Sequence, residues 1–130
     1  MRRLGAIAAL LVLCGAAQAC SKSTLRVTDI QIGRSLNADN SVRDHATAFT
    51  PKDSIYVSVL TAGKGTGLLS VRWSLRGRVL DEPKKQISYT DAAATDFGLK
   101  TGWGFPIGDY TADVFLDGQP VGTRKFRVAE

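Results

Sequence analysis

Cysteine and histidine are almost missing from this chain of 130 residues. The two cysteines, Cys14 and Cys20, both fall within the first twenty positions, and His45 is the single histidine. Nothing after Cys20 can form an intrachain disulfide, so packing alone is expected to hold the fold. One histidine without a second histidine or a downstream cysteine makes a poor zinc site, and a Ser/His/Asp set would have to draft His45 without support. No Gly-x-Ser-x-Gly elbow occurs. Gly63-Lys64-Gly65-Thr66-Gly67 lacks the order of a phosphate-binding loop and reads as a mobile hairpin loop between two strands. Asn37, Asp39 and Ser41 alternate like calcium ligands, but Val42 stands where the EF-hand glycine belongs and Ala48 where the closing glutamate belongs. Asp81-Glu82 sits before Pro83 in a turn, where solvation explains it. No catalytic constellation and no cofactor motif emerge, and the chain reads as non-enzymatic. Beyond residue 24 no window of a dozen residues carries a helical apolar stripe.

What is present begins at the amino terminus. Met1-Arg2-Arg3 is a short basic start, residues 4–13 are apolar and uncharged, and Ala17-Gln18-Ala19 is a small-x-small cleavage site. The apolar run falls short of the ~20 residues a spanning helix needs and contains Gly5. A cysteine directly after such a site resembles the lipobox of bacterial lipoproteins. That resemblance implies a leader helix over 1–19 that is removed, lipid on the Cys20 thiol, an acylated new amino terminus, and a tether over 20–24. Ser21 in second place resembles an outer-membrane destination, facing the periplasm. Losing Arg2 and Arg3 takes the 17 basic residues to 15 against 12 acidic ones, or +3 instead of +5. So small a balance gives no argument for nucleic-acid binding.

From residue 25 the pattern is β throughout. Residues 25–32 read as a strand with a slip near Asp29, 33–53 as a long polar loop, and 54–61 as a β-branched strand. Residues 69–76 alternate cleanly, with Leu69, Val71, Trp73 and Leu75 on one face and Ser70, Arg72, Ser74 and Arg76 on the other. Short strands follow at 79–80, 86–89 and 95–99. Tyr110, Ala112, Val114 and Leu116 share a face, Asp117-Gly118 marks a hairpin turn, and 121–128 closes the domain. About seven short strands at this spacing predict an all-β sandwich or small barrel over 25–130.

Trp73 in mid-strand, and Tyr110 opening the strand after Gly108-Asp109, resemble immunoglobulin-like or fibronectin-like domains. In that family a core tryptophan lies on the third strand and a tyrosine corner pins a crossover. Ala112 stands where antibody-type domains carry a cysteine, opposite Val57 or Val59, so the antibody-type disulfide is not expected. Two features are candidate interaction sites. Trp103, Phe105 and Pro106 crowd one glycine-rich loop, either capping the core or carrying recognition. On the outward faces, the fold would group Arg72, Arg76, Phe115 and Arg127, with Asp113 and Lys125. That group is either a salt-bridge ladder or a docking face with an exposed phenylalanine among arginines. The expected function is a lipid-anchored binding or accessory module for another envelope component, held to the membrane through Cys20. A small-ligand or cation binder using the 34–48 loop, or an enzyme inhibitor, is the alternative.

Overall fold

A computed structural model of the protein describes residues 22–130. The expected leader and Cys20 lie outside the described residues. Among the described residues nine strands follow in order: β1 (Arg26–Gly33), β2 (Ala48–Phe49), β3 (Ile55–Ala62), β4 (Gly65–Leu75), β5 (Arg78–Asp81), β6 (Lys84–Tyr89), β7 (Ala93–Leu99), β8 (Gly108–Leu116) and β9 (Gln119–Val128). They form two sheets. One runs β1-β3-β7; the other runs β2-β9-β8-β4-β5, with β6 also paired to β4. The strand spacing therefore leads to a sandwich.

Period-two alternation explains the core. Val57 and Val59 from one sheet meet Leu69, Val71, Trp73, Ala112 and Val114 from the other, all fully buried. Phe126 is the hub of an aromatic cluster. It stacks on Tyr110 at 5.0 Å and takes Trp73 and Phe49 edge-on at 6.0 and 5.5 Å. Ala112 fills the place of the missing cysteine. The bulge expected near Asp29 is present, since the β1–β3 register shifts between Val27 and Asp29.

Three local readings need correction. Arg76 does not continue the outward face of β4. It and Gly77 have φ of 51° and 83°, so β4 stops at Leu75 and the pair turns the hairpin into β5. The extended part of residues 63–67 is larger than a hairpin loop would allow, because β4 already begins at Gly65 and pairs with β6. The long loop 33–53 is partly ordered by pairing. Bridges join Gly33 to His45 and Leu36 to Val42, and Ala48–Phe49 pairs parallel to the end of β9. This excursion folds over the outer face of β3, where the Ser58 hydroxyl donates to the Asn40 carbonyl at 2.7 Å. It buries Val42 and Ser58. Gly33 permits the close return, because a Cβ there would lie 2.1 Å from the Asp44 carbonyl oxygen.

The sandwich has two distinct poles. At the first, Thr24 donates its backbone N–H to the Lys64 carbonyl, and the Lys64 N–H donates to the Thr24 hydroxyl at 2.9 Å. The chain thus enters beside the β3–β4 turn. The opposite pole carries residues 50–54, the Arg76-Gly77 turn and the β7–β8 connection, since Ile55 pairs with Leu99 and Leu75 with Tyr110.

Candidate functional site

The β7–β8 connection is fixed on both sides of one side chain. Phe105 donates its N–H to the Pro51 carbonyl at 2.8 Å and buries its ring at the edge of the core. The Tyr110 hydroxyl donates to the Pro106 carbonyl, which forms the expected tyrosine corner. Ahead of these anchors the Thr101 hydroxyl bonds the Gly104 carbonyl at 3.3 Å. Between them Trp103 stands 97% exposed. An indole carries a large apolar payload, so leaving it in water is costly unless something covers it. Here it does not cap the core.

A groove of about 480 Å³ runs beneath Trp103, between residues 51–56 and 98–105, with Lys52, Tyr56 and Lys100 along it. Its wall at 50–53 is held by Asp53. That carboxylate accepts the Thr50 N–H at 2.7 Å and pairs with the Arg34 guanidinium at 3.2 Å. The backbone hydrogen bond from Thr50, followed by Arg34, holds Asp53 below its usual 3.8 despite opposing desolvation. The Asp53 hydrogen bond likewise raises Arg34. Arg34 also donates to the Ala48 carbonyl at 2.7 Å and lies over the Phe49 ring. Asp53 is therefore neutralised within the fold, whereas neither Lys52 nor Lys100 has an ion-pair partner among the described residues. Asp53→Ala is expected to lower stability by about 1 kcal/mol, as a lost charge-assisted backbone bond does. Because the folded pKa is depressed, the wild-type contribution is present above 3.8 and lost as pH falls through the folded value. Melting curves at neutral pH and near pH 3 check both, and the gap between variant and wild type should narrow in acid.

The candidates read from sequence separate. Phe105 is not an exposed recognition residue. Its place between Pro51 and the core makes it the anchor of the Trp103 loop. Phe115 is half-buried, and its ring is covered by the Arg72 guanidinium at 4.8 Å, itself paired with Glu82 at 3.4 Å. Arg76 and Arg127 are not beside Phe115. Arg76 lies in the turn at the far pole, with its side chain toward the Ile107 carbonyl. Arg127 pairs loosely with Asp109 at 3.9 Å, four residues along β9 from Thr123, the residue aligned with Asp113. The supposed arginine-ringed face is thus one self-satisfied Arg72–Phe115 contact and two remote arginines. In the 34–48 loop, Asp39 is spent on the Ser41 N–H and hydroxyl, which hold its pKa down. Asn37 donates to Ser41 at 3.0 Å. No group of three metal-ligating side chains occurs among the described residues.

Sequence reasoning missed Tyr56, Lys52 and Lys100, which nothing local marks. Of the five large apolar side chains exposed among the described residues, Trp103 and Ile107 lie in the β7–β8 connection, Val79 and Leu80 on β5, and Val121 on β9 near the opposite pole.

With this geometry in hand, solved structures offer a comparison. The chain is similar to an immunoglobulin-like protein from Pseudomonas aeruginosa, with a TM-score of 0.57 and 16% identity, covering 88% of this chain and 100% of that one. The fold is immunoglobulin-like. The match together with the two-sheet pairing agrees with the resemblance carried by Trp73 and Tyr110, and at this identity it speaks for the fold alone. No protein-family model matches the chain, and no curated protein matches it. Within the immunoglobulin-like frame β4, β8 and β9 take the places of strands C, F and G, with β8 between the other two as expected.

Proposed function

We propose that this protein is a lipid-anchored, non-enzymatic module of the bacterial cell envelope that recognises another envelope component through its Trp103 pole. The anchor is Cys20, after Ala17-Gln18-Ala19, and the destination is the outer membrane on its periplasmic side. One observation carries the recognition reading: a fully exposed tryptophan stands two residues from a buried anchor, Phe105, at the pole opposite to where the tether enters. Tryptophan is among the residues most enriched in binding hot spots. Four Cα steps separate Cys20 from Thr24, a reach of at most ~14 Å, so the lipid would keep the entry pole close to the membrane. The eight residues of β1 then set the Trp103 pole ~26 Å further out, facing the compartment where a partner is met.

The test is photocrosslinking in living cells, with the crosslinking side chain at position 103 and, as control, at Val121 on the opposite hairpin. A discrete adduct from 103 and none from 121 is expected, as is loss of the adduct when Cys20→Ser releases the chain from the membrane fraction. A Cys20→Ser variant that still fractionates with membranes would overturn the anchor. Adducts that are equal from both positions, or absent from both, would overturn recognition at the Trp103 pole.

A further inference from the structure

The first sheet stops one strand early. β7 is its edge and pairs with β3 alone, whereas constant-type immunoglobulin domains place a fourth strand beside this one. Here the intervening strand, β6, pairs with β4 in the other sheet instead. The Asp96 carbonyl accepts from the Lys85 ammonium, which shows that the backbone groups of Asp96 point away from β3. Antiparallel pairing alternates, so the N–H and C=O of Gly98 point to that same open side. Lys85 satisfies the carbonyl at 96; no backbone or side-chain partner from the described residues meets Gly98 there.

The open edge lies in a trough. A second concavity of about 420 Å³ runs between β7 and the Asp81–Pro83 corner, and it shares Tyr56, Gly98 and Lys100 with the groove under Trp103. The two join at Gly98, whose missing side chain leaves its backbone bare beneath the Tyr56 ring; a Cβ there would stand 3.4 Å from that ring. Charge differs along the trough. Asp53 and Asp96 are paired with Arg34 and Lys85, leaving Lys52 and Lys100 at the Trp103 end and Asp81 at the other.

From this geometry we infer that the β7 edge accepts an extended polypeptide segment of a partner protein as an added strand. The segment bonds the Gly98 backbone, lays an apolar or aromatic side chain against Trp103, and presents an acidic side chain to Lys52 and Lys100. Strand addition of this kind draws affinity from main-chain hydrogen bonds and specificity from flanking pockets. A linear trough with one bare backbone residue at its centre suits an extended peptide better than a flat membrane surface. The inference rests on the reading of the Trp103 pole as the recognition end.

The full-length chain in detergent would be panned against a displayed library of random dodecapeptides, with Trp103→Ala as counter-selection. Enriched sequences should combine aspartate or glutamate with an aromatic or aliphatic residue, and Lys52→Glu with Lys100→Glu should weaken their binding about tenfold or more. In the complex, the Gly98 amide should exchange with solvent about tenfold more slowly, because a new ladder bond protects it. Peptides that need Trp103 but leave Gly98 exchange unchanged would overturn strand addition while sparing the Trp103 pole. Failure to enrich any peptide, or retention of an anionic polysaccharide in place of peptides, would also overturn it. The cell crosslinking at position 103 then judges the parent reading separately.

Discussion

Replacing Trp73 by alanine is expected to lower the stability of the domain by ~3–5 kcal/mol, while Trp103→Ala shifts it by less than ~0.5 kcal/mol. The two indoles differ in everything except chemistry. Trp73 is fully buried between the sheets, edge-on to Phe126, and its removal leaves a cavity that two paired sheets cannot close without breaking register. Trp103 touches water on nearly all sides. Against a total stability of ~5–15 kcal/mol for a domain of this kind, the first change is severe. Urea unfolding followed by circular dichroism checks both variants. Equal midpoints for the two would show that Trp103 is packed in solution and would remove the basis for a recognition role. The same comparison certifies Trp103→Ala as a folded reagent for binding work.

Tyr110→Phe is the second large expected effect, a loss of ~1–3 kcal/mol. The ring stays, so stacking on Phe126 is kept, and the change isolates the hydroxyl that bonds the Pro106 carbonyl. That carbonyl belongs to the same short segment as Phe105 and Trp103. The phenylalanine variant should therefore also loosen the Trp103 loop and raise amide exchange across 103–107. Burial raises the Tyr110 hydroxyl above its ordinary 10.0, with the Arg76 charge acting the other way. Its folded pKa exceeds its unfolded one, so its contribution is complete below pH 10 and is lost as pH rises through the folded value. Wild type should thus lose stability above pH 10 faster than Tyr110→Phe, which has no hydroxyl to ionise there. Parallel curves for the two proteins between pH 9 and 11 would count against the buried corner.

How much of this was legible in the sequence depends on whether the deciding contact is local. The alternation from Leu69 to Leu75 gave β4, its inward face and the place of Trp73, because period two is a property of one strand. Asp117-Gly118 marked its turn, and both residues have positive φ, 52° and 82°, as the hairpin type requires. Arg76 was misplaced for the same local reason. It prolongs the alternation, and nothing in an arginine announces a left-handed backbone. The pairing of Ala48–Phe49 with β9 and the return of Asn40 onto Ser58 join distant residues and leave no periodic trace. The candidate site suffered most. Trp103 stood out by composition, but Phe105 beside it has equal composition and the opposite fate, settled by a hydrogen bond to Pro51. Arg72, Arg76 and Arg127 looked like neighbours because outward parity was read without distance along the strands. The bare edge at Gly98 depends on which sheet β6 joins, a choice that no single strand records.

The two poles carry a mechanical meaning. If the chain is held at Thr24 and a partner pulls at Trp103, the force runs along the strands. Backbone hydrogen bonds between β1 and β3 lie across that direction, so they are sheared together and cannot be unzipped singly. The first link under tension is the Thr24–Lys64 clip, which can open and lengthen the tether before either sheet yields. Held at both ends in this way, the domain would act as a stiff strut with a short compliant base.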